Sequence, residues 1–364
     1  MRIRWIDMIL LAALVLVVNA PLSGCLNRVS SNRDIKVMIP STSIVFADAE
    51  WESIKMHSRI AGYIIEHGYG YTPRYLTGEN LPLFKALNQG DVDIMMEVWT
   101  LDYPVLWKQL LKDGKVKALA TNYIGTQGWY IPAYLAEGDK ERGIEPQIPN
   151  IKSVFDLPAY QKYFKLSASS SMGIIYNAPR GWPAEETNKK KFNNYFLFTS
   201  FTLLPGDSEA ALAASLDKAY ARGNAWLGYA RDPSMVTAGH KMLMLREEPY
   251  NEEIWNADRM CAYPDCDVVI AANSGMNKKA PEVLDFLQNY QTTRNQNEEI
   301  LLCLNKANGN REQAAREWLL KNPDVWGQWV PEAIAKKVWA DLNPAPVNKK
   351  PGLSQRLLKL FKIK

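Results

Sequence analysis

Histidine is almost missing from this chain: three in 364 residues, at positions 57, 67 and 240. None stands beside a paired Ser, Cys or carboxylate motif, and three scattered imidazoles are too few for a histidine-based metal site. Enzymatic chemistry built on a nucleophile, base or metal therefore has little to work with. Glu97, on the same strand face as Trp99, is the one acid worth watching. Cysteine is also sparse, at four. The net charge of +4 is mild and decides little, and no nucleic-acid partner is expected from it. Long apolar runs are lacking except for one, Met8 to Ala20, which is short for a transmembrane helix; a helical span needs about 20 residues. Internal repeats and low-complexity blocks are missing too.

What is present is a globular composition, 47% hydrophobic and 23% charged, over a length that suits two domains. Aromatics are abundant, with 12 Trp and 17 Tyr, and such rings serve recognition as well as packing. The N-terminus reads as an address. Arg2 and Arg4 precede the apolar run, and Leu22-Ser-Gly-Cys25 follows it, so 1–24 is expected to be a signal peptide. The Leu-Ser-Gly-Cys ending looks like a bacterial lipobox, in which Cys25 carries the lipid and 25–33 is a tether. Cys261 and Cys266 flank Ala-Tyr-Pro-Asp, and in an exported chain this predicts a local disulfide. Cys303 reads as a small buried hydrophobe. Residues 346–364 place Leu353, Leu357, Leu358, Leu360 and Phe361 on one helical face, a basic amphipathic tail suited to a membrane surface.

Along the chain, strands and helices alternate, which argues a parallel sheet with right-handed crossovers. Strands are expected at 35–39, 71–76, 92–98, 116–120, 129–135, 164–168, 225–229 and 267–272, with a loop at 40–50 and a small-residue turn at 169–173. Helices are expected at 53–67, 81–88, 103–112, 208–222, 281–290, 297–304 and 311–320. The centre of the pattern is Asn88-Gln-Gly-Asp-Val-Asp-Ile-Met-Met-Glu-Val-Trp99. Gly90 stops a helix, a near-continuous apolar strand follows, and Trp99 is delivered to its carboxyl end, where open α/β sheets bind ligands.

In order along the chain, Glu50-Trp51-Glu-Ser-Ile54, the segment from Leu83 to Trp99, the helix at 208–222 with its following strand, and Arg311 to Trp318 with Asn322-Pro-Asp resemble the solute-binding proteins of glycine betaine/choline-type ABC transporters. The resemblance spans roughly 35–329. It implies an α/β, two-lobe clamshell of the type II periplasmic-binding-protein class, each lobe a mostly parallel sheet flanked by helices. The lobes would be 34–131 plus 264–345, and 132–263. It implies a non-enzymatic, extracytoplasmic and monomeric lipoprotein without cofactor or metal. Its partners would be a small quaternary-ammonium or betaine-like ligand, an ABC permease with its ATPase, and a membrane reached through the lipid anchor. By position, Trp51 and Trp99 match the family's cage on the first lobe, Trp182 the second-lobe Trp, and Trp129 and Tyr229 further aromatics.

The sequence departs from the family pattern at Tyr229-Ala-Arg231-Asp-Pro233, where Arg231 replaces a ring, and at Pro183, which has no N–H to offer a carboxylate. Arg231 is therefore expected to clasp the carboxylate of a zwitterion. Two other readings remain open: a binding protein for a different carboxylate-bearing solute, and a sensing or structural lipoprotein with a degenerate cleft.

Overall fold

The computed structural model describes residues 43–344, which fall within one compact unit, 41–364. The expected signal peptide, Cys25, the tether, the strand at 35–39 and the tail at 346–364 lie outside the described residues.

Nine strands are described: β1 Ser43–Asp48, β2 Thr72–Thr77, β3 Ile94–Trp99, β4 Val116–Pro132, β5 Gly173–Pro179, β6 Phe201–Gly206, β7 Gly228–Asp232, β8 Met242–Met244 and β9 Cys266–Asn273. They run in the order β2-β1-β3-β9-β4-β7-β5-β6, with β8 beside β4. The fold is thus a mixed α/β sheet flanked by helices. Parallel pairing holds within β2-β1-β3 and within β7-β5-β6. Pairing is antiparallel where β9 joins β3 and β4, and where β7 joins β4, so the sheet is less parallel than the alternation of elements predicts. A returning strand that needs no helical crossover is free to enter antiparallel.

Two expected strands, 116–120 and 129–135, are one continuous strand, β4. Its first part, to Gly125, pairs with β9, and from Thr126 it pairs with β7 and then β8. The exchange of partners between Gly125 and Thr126 falls six residues before the predicted lobe boundary at 131 and divides the sheet into two half-sheets, called lobes below. The second crossing precedes β9. The predicted loop at 40–50 contains β1, whose Ile44, Phe46 and Ala47 are buried. The apolar stretch expected to be a strand at 164–168 instead ends a 3-10 turn, Gln161–Phe164, and the strand is β5, beginning where a turn was expected. Short apolar runs do not discriminate by period, and tertiary pairing decided this one.

The first helix, α1, is Glu52–Ile64 and continues as a π-helical turn, Ile65–Tyr69. Helix α2, Asn80–Gln89, ends on Gly90 at φ +87°, the left-handed cap its sequence predicts. β3 is buried at all six positions, as a strand between packed faces must be. Helix α3, Pro104–Lys112, follows it.

The expected bridge between Cys261 and Cys266 is not formed: both are free, buried thiols. Cys266 opens β9, in register with Gly125 of the first lobe, and its Sγ lies 3.7 Å from Thr100 Oγ1. Cys261 stays with the second lobe, where its carbonyl accepts from Lys191 Nζ and its Sγ lies 3.6 Å from the Asn251 carbonyl. The four residues between them carry the chain from one lobe to the other, so closeness in sequence does not become pairing of the two thiols.

Candidate functional site

Trp51 precedes α1, and Trp99 ends β3, so both indoles arrive at the carboxyl edge of the first half-sheet. Gly125 on β4 makes room for the second of them. A Cβ there would stand 2.5 Å from Trp99 Cη2, so the ring lies directly on glycine backbone. One carboxylate orients both indoles. Glu97 Oε2 accepts from Trp51 Nε1 at 2.6 Å, from Ser53 Oγ at 3.0 Å and, more weakly, from Trp99 Nε1 at 3.4 Å. Burial pushes the Glu97 carboxyl above the usual range, and these donors pull against it.

Behind Glu97 stands His57. Burial holds its pKa down to about 4, so it is neutral. Its Nε2–H donates to Asn297 Oδ1 at 2.6 Å, and its Nδ1 accepts from Tyr290 O–H at 2.7 Å. The 3.6 Å approach of His57 Nε2 to Glu97 Oε1 is accordingly no ion pair. Asn297 donates onward to Thr292 Oγ1, and Thr292 Oγ1 to Asn122 Oδ1, which ties α1 to β4 through the helix Arg294–Lys306. The imidazole is structural, and no nucleophile is activated by it.

The second lobe supplies Trp182, which caps the helix Pro183–Asn194 from an extended backbone. Its ring meets Trp51 edge-on at 5.9 Å. Between these rings lies the guanidinium of Arg231. Its Cζ is 4.3 Å from the centroid of Trp99, 4.2 Å from that of Trp182 and 5.8 Å from that of Trp51. All four residues are buried.

Arg231 Nη2 donates to Asp102 Oδ2 at 2.6 Å, and Nε donates to Tyr229 Oη at 3.2 Å. Tyr229 in turn donates to Gln127 Oε1 at 2.6 Å. Arg231 Nη1 has no hydrogen-bond partner among the described residues. Burial works against charge on both Arg231 and Asp102, but their pairing keeps the guanidinium cationic. Asp102 lies just past β3 and Arg231 is the next-to-last residue of β7, so this salt bridge joins one lobe to the other. The carboxylate that Arg231 meets is the chain's own.

A second contact crosses between the lobes. Glu209, the first residue of the helix Glu209–Ala221, accepts from the backbone N–H of Glu52, the first residue of α1, at 3.0 Å. Burial pushes its pKa up to about 7.

Of the six residues expected at a ligand site, Trp51, Trp99, Trp182 and Arg231 meet in one cluster. Tyr229 supports it by holding Arg231. Trp129 sits opposite Tyr229 in the β4–β7 ladder, and its ring packs edge-on against Tyr195 at 6.4 Å, inside the second lobe and away from the three other indoles. Asp102 and Glu209 were not legible as site residues. Nothing in Thr100-Leu-Asp102 marks an aspartate that will pair 129 positions away, and Glu209 reads locally as a favourable acid in a first helical turn.

The model for the substrate binding domain of ABC-type glycine betaine transport systems matches residues 42–321. This chain belongs to that family. The family consists of solute-binding components of transport systems and not of enzymes. This binding protein is 22% identical over 287 residues to a trimethylamine N-oxide-binding protein of Pelagibacter ubique (strain HTCC1062), which spans 78% of this chain and 89% of the relative.

Solved structures share its fold. A glycine betaine/L-proline-binding protein from Borrelia burgdorferi superposes with a TM-score of 0.61 at 18% identity, covering 82% of this chain and all of that one. A choline binding protein of an ABC transporter, in complex with choline, gives 0.61 at 19% identity over 82% of this chain and 98% of the other. At these identities the likeness establishes the type II periplasmic-binding-protein fold, and the chemistry of this binding protein's site rests on its own residues.

Proposed function

We propose that this binding protein captures a small onium or betaine-like solute between its lobes, with Trp51, Trp99 and Trp182 as the walls of the site, and presents it to an ABC permease and its ATPase. The carrying observation is that three indoles from both lobes surround a single buried cation, Arg231. Indole faces carry negative quadrupole potential, and each close ring contributes about 0.5 to 2 kcal/mol to a cation. A trimethylammonium group has no N–H to donate, so rings hold it where hydrogen-bonding residues cannot. The relatives described as binding trimethylamine N-oxide, betaine and choline all take solutes of this kind.

Isothermal calorimetry with millimolar glycine betaine, choline, trimethylamine N-oxide, carnitine and proline tests the reading. At least one should bind, and in an Arg231→Ala background, where no side-chain cation shares the ring, Trp99→Ala should weaken that solute by about 1 to 2 kcal/mol, roughly five- to thirtyfold. The reading fails if Trp99→Ala leaves the affinity intact, or if no solute binds either the natural protein or a variant with the cage emptied.

The same reading places the protein outside the cytoplasm, tethered by lipid on Cys25 after removal of 1–24. The natural protein should then partition with membranes and a Cys25→Ser protein should not; equal recovery of both in the membrane fraction would refute the anchor. The lobe assignment and the membrane-facing tail at 346–364 belong to this proposal as well.

A further inference from the structure

The solute site proposed above already holds a cation of the chain's own. We infer that Arg231 is a tethered competitor for the solute. Its guanidinium fills the indole cage as an onium headgroup would, bridges the lobes through Asp102, and sets which solutes can enter by what each must displace. The inference rests on the proposed site and concerns its specificity.

Three observations carry it. First, the guanidinium carbon lies 4.2 and 4.3 Å from two indole centroids contributed by opposite lobes, within the distance at which a cation is held by ring faces. Second, its hydrogen bonding is incomplete. Nη1 is buried and unpartnered among the described residues, so the cavity is built around a cation rather than around the five N–H donors of arginine. A buried donor left without a partner is costly, and the rings take up the role that hydrogen bonds play at an ordinary buried arginine. Third, the counter-ion comes from the opposite lobe. Asp102 belongs to the first lobe and Arg231 to the second, and their 2.6 Å bond draws the lobes together as a bridging solute would.

A solute therefore meets a cage populated by an intramolecular rival. Its apparent affinity is reduced by the fraction of molecules in which the guanidinium is out of the cage. Removing the side chain empties the cage while leaving its walls, since Glu97 and Gly125, not Arg231, position Trp51 and Trp99.

The experiment compares the natural protein with Arg231→Ala, and with Arg231→Ala combined with Asp102→Asn, so that a buried carboxylate left unpaired does not decide the result through misfolding. Two probes are titrated by calorimetry and followed by thermal shift: choline for the onium class, and N-ethylguanidinium as the excised side-chain head. The variants are expected to bind choline at least about tenfold tighter than the natural protein. N-ethylguanidinium should raise the melting temperature of the variants and leave that of the natural protein unmoved. A merely structural arginine would lower stability without either gain.

Choline affinity in the folded variants equal to or weaker than in the natural protein overturns the competitor and leaves the proposed site standing. If neither probe, nor any of the other solutes named above, binds the natural protein or the variants, the site itself is overturned, and the competitor with it.

Discussion

Replacing Glu97 by Ala is expected to destabilise the protein by about 3 to 5 kcal/mol, the largest single-residue effect at the site. Its carboxylate is the acceptor for Trp51 Nε1, Ser53 Oγ and Trp99 Nε1. All four side chains are buried, so no water replaces the lost acceptor without entering the core. Each orphaned donor costs on the order of 1 to 3 kcal/mol and a cavity adds to the sum, while relief of the desolvation cost of the buried carboxylate offsets part of it. Glu97→Gln keeps an acceptor in place and is expected to cost far less. Urea unfolding followed by tryptophan fluorescence separates the two. An Ala variant within about 1 kcal/mol of the natural protein would show that Glu97 does not hold the cage. Loss of the carboxylate should also weaken solute binding, because both first-lobe indoles lose the bond that fixes their ring planes.

The second large effect depends on pH and isolates Glu209. Burial raises its pKa in the folded protein to about 7, against about 4.3 for an ordinary glutamate. Between those values the folded state keeps a proton that the unfolded state has released. Stability then falls as pH rises through the window and levels off above pH 7. The full range is on the order of 3 kcal/mol.

His57 acts in the opposite sense. Its pKa is depressed to about 4, so its contribution is complete above about pH 6.5 and is lost as pH falls toward 4. The two partly cancel in the natural protein, and the difference from Glu209→Gln removes the His57 contribution. That variant should match the natural protein near pH 4.5 and exceed it by roughly 2 to 3 kcal/mol at pH 8. Denaturant unfolding at both pH values measures this, and an unchanged difference between them would mean that the Glu209 carboxyl keeps an ordinary pKa.

Much of the first lobe was readable from local pattern. Gly90 ends a helix because only a residue without Cβ sits comfortably at φ +87°, and the apolar run after it is a strand buried on both faces. A tryptophan at the end of such a strand necessarily reaches the sheet's carboxyl edge. In the second lobe the reading slipped at β5, because short apolar runs between turns have no period that separates strand from irregular chain. The disulfide expectation failed for a related reason: spacing limits how far apart two cysteines can be, yet says nothing of which lobe each side chain joins.

The sequence by itself determined the family, the α/β class and the indoles at strand and helix ends, because these follow from periodicity, capping and ordered motifs within tens of residues. Only the tertiary structure decided what those indoles surround. Arg231 reads as a clamp for a solute's carboxylate when its surroundings are unknown. The partner that claims it is Asp102, 129 positions earlier and in the other lobe. Pairing across that separation depends on how two half-sheets meet, which fixes direction and distance together. A guanidinium 2.6 Å from one carboxylate and about 4 Å from two indole faces is held where it is by the sum of contacts that no local window contains.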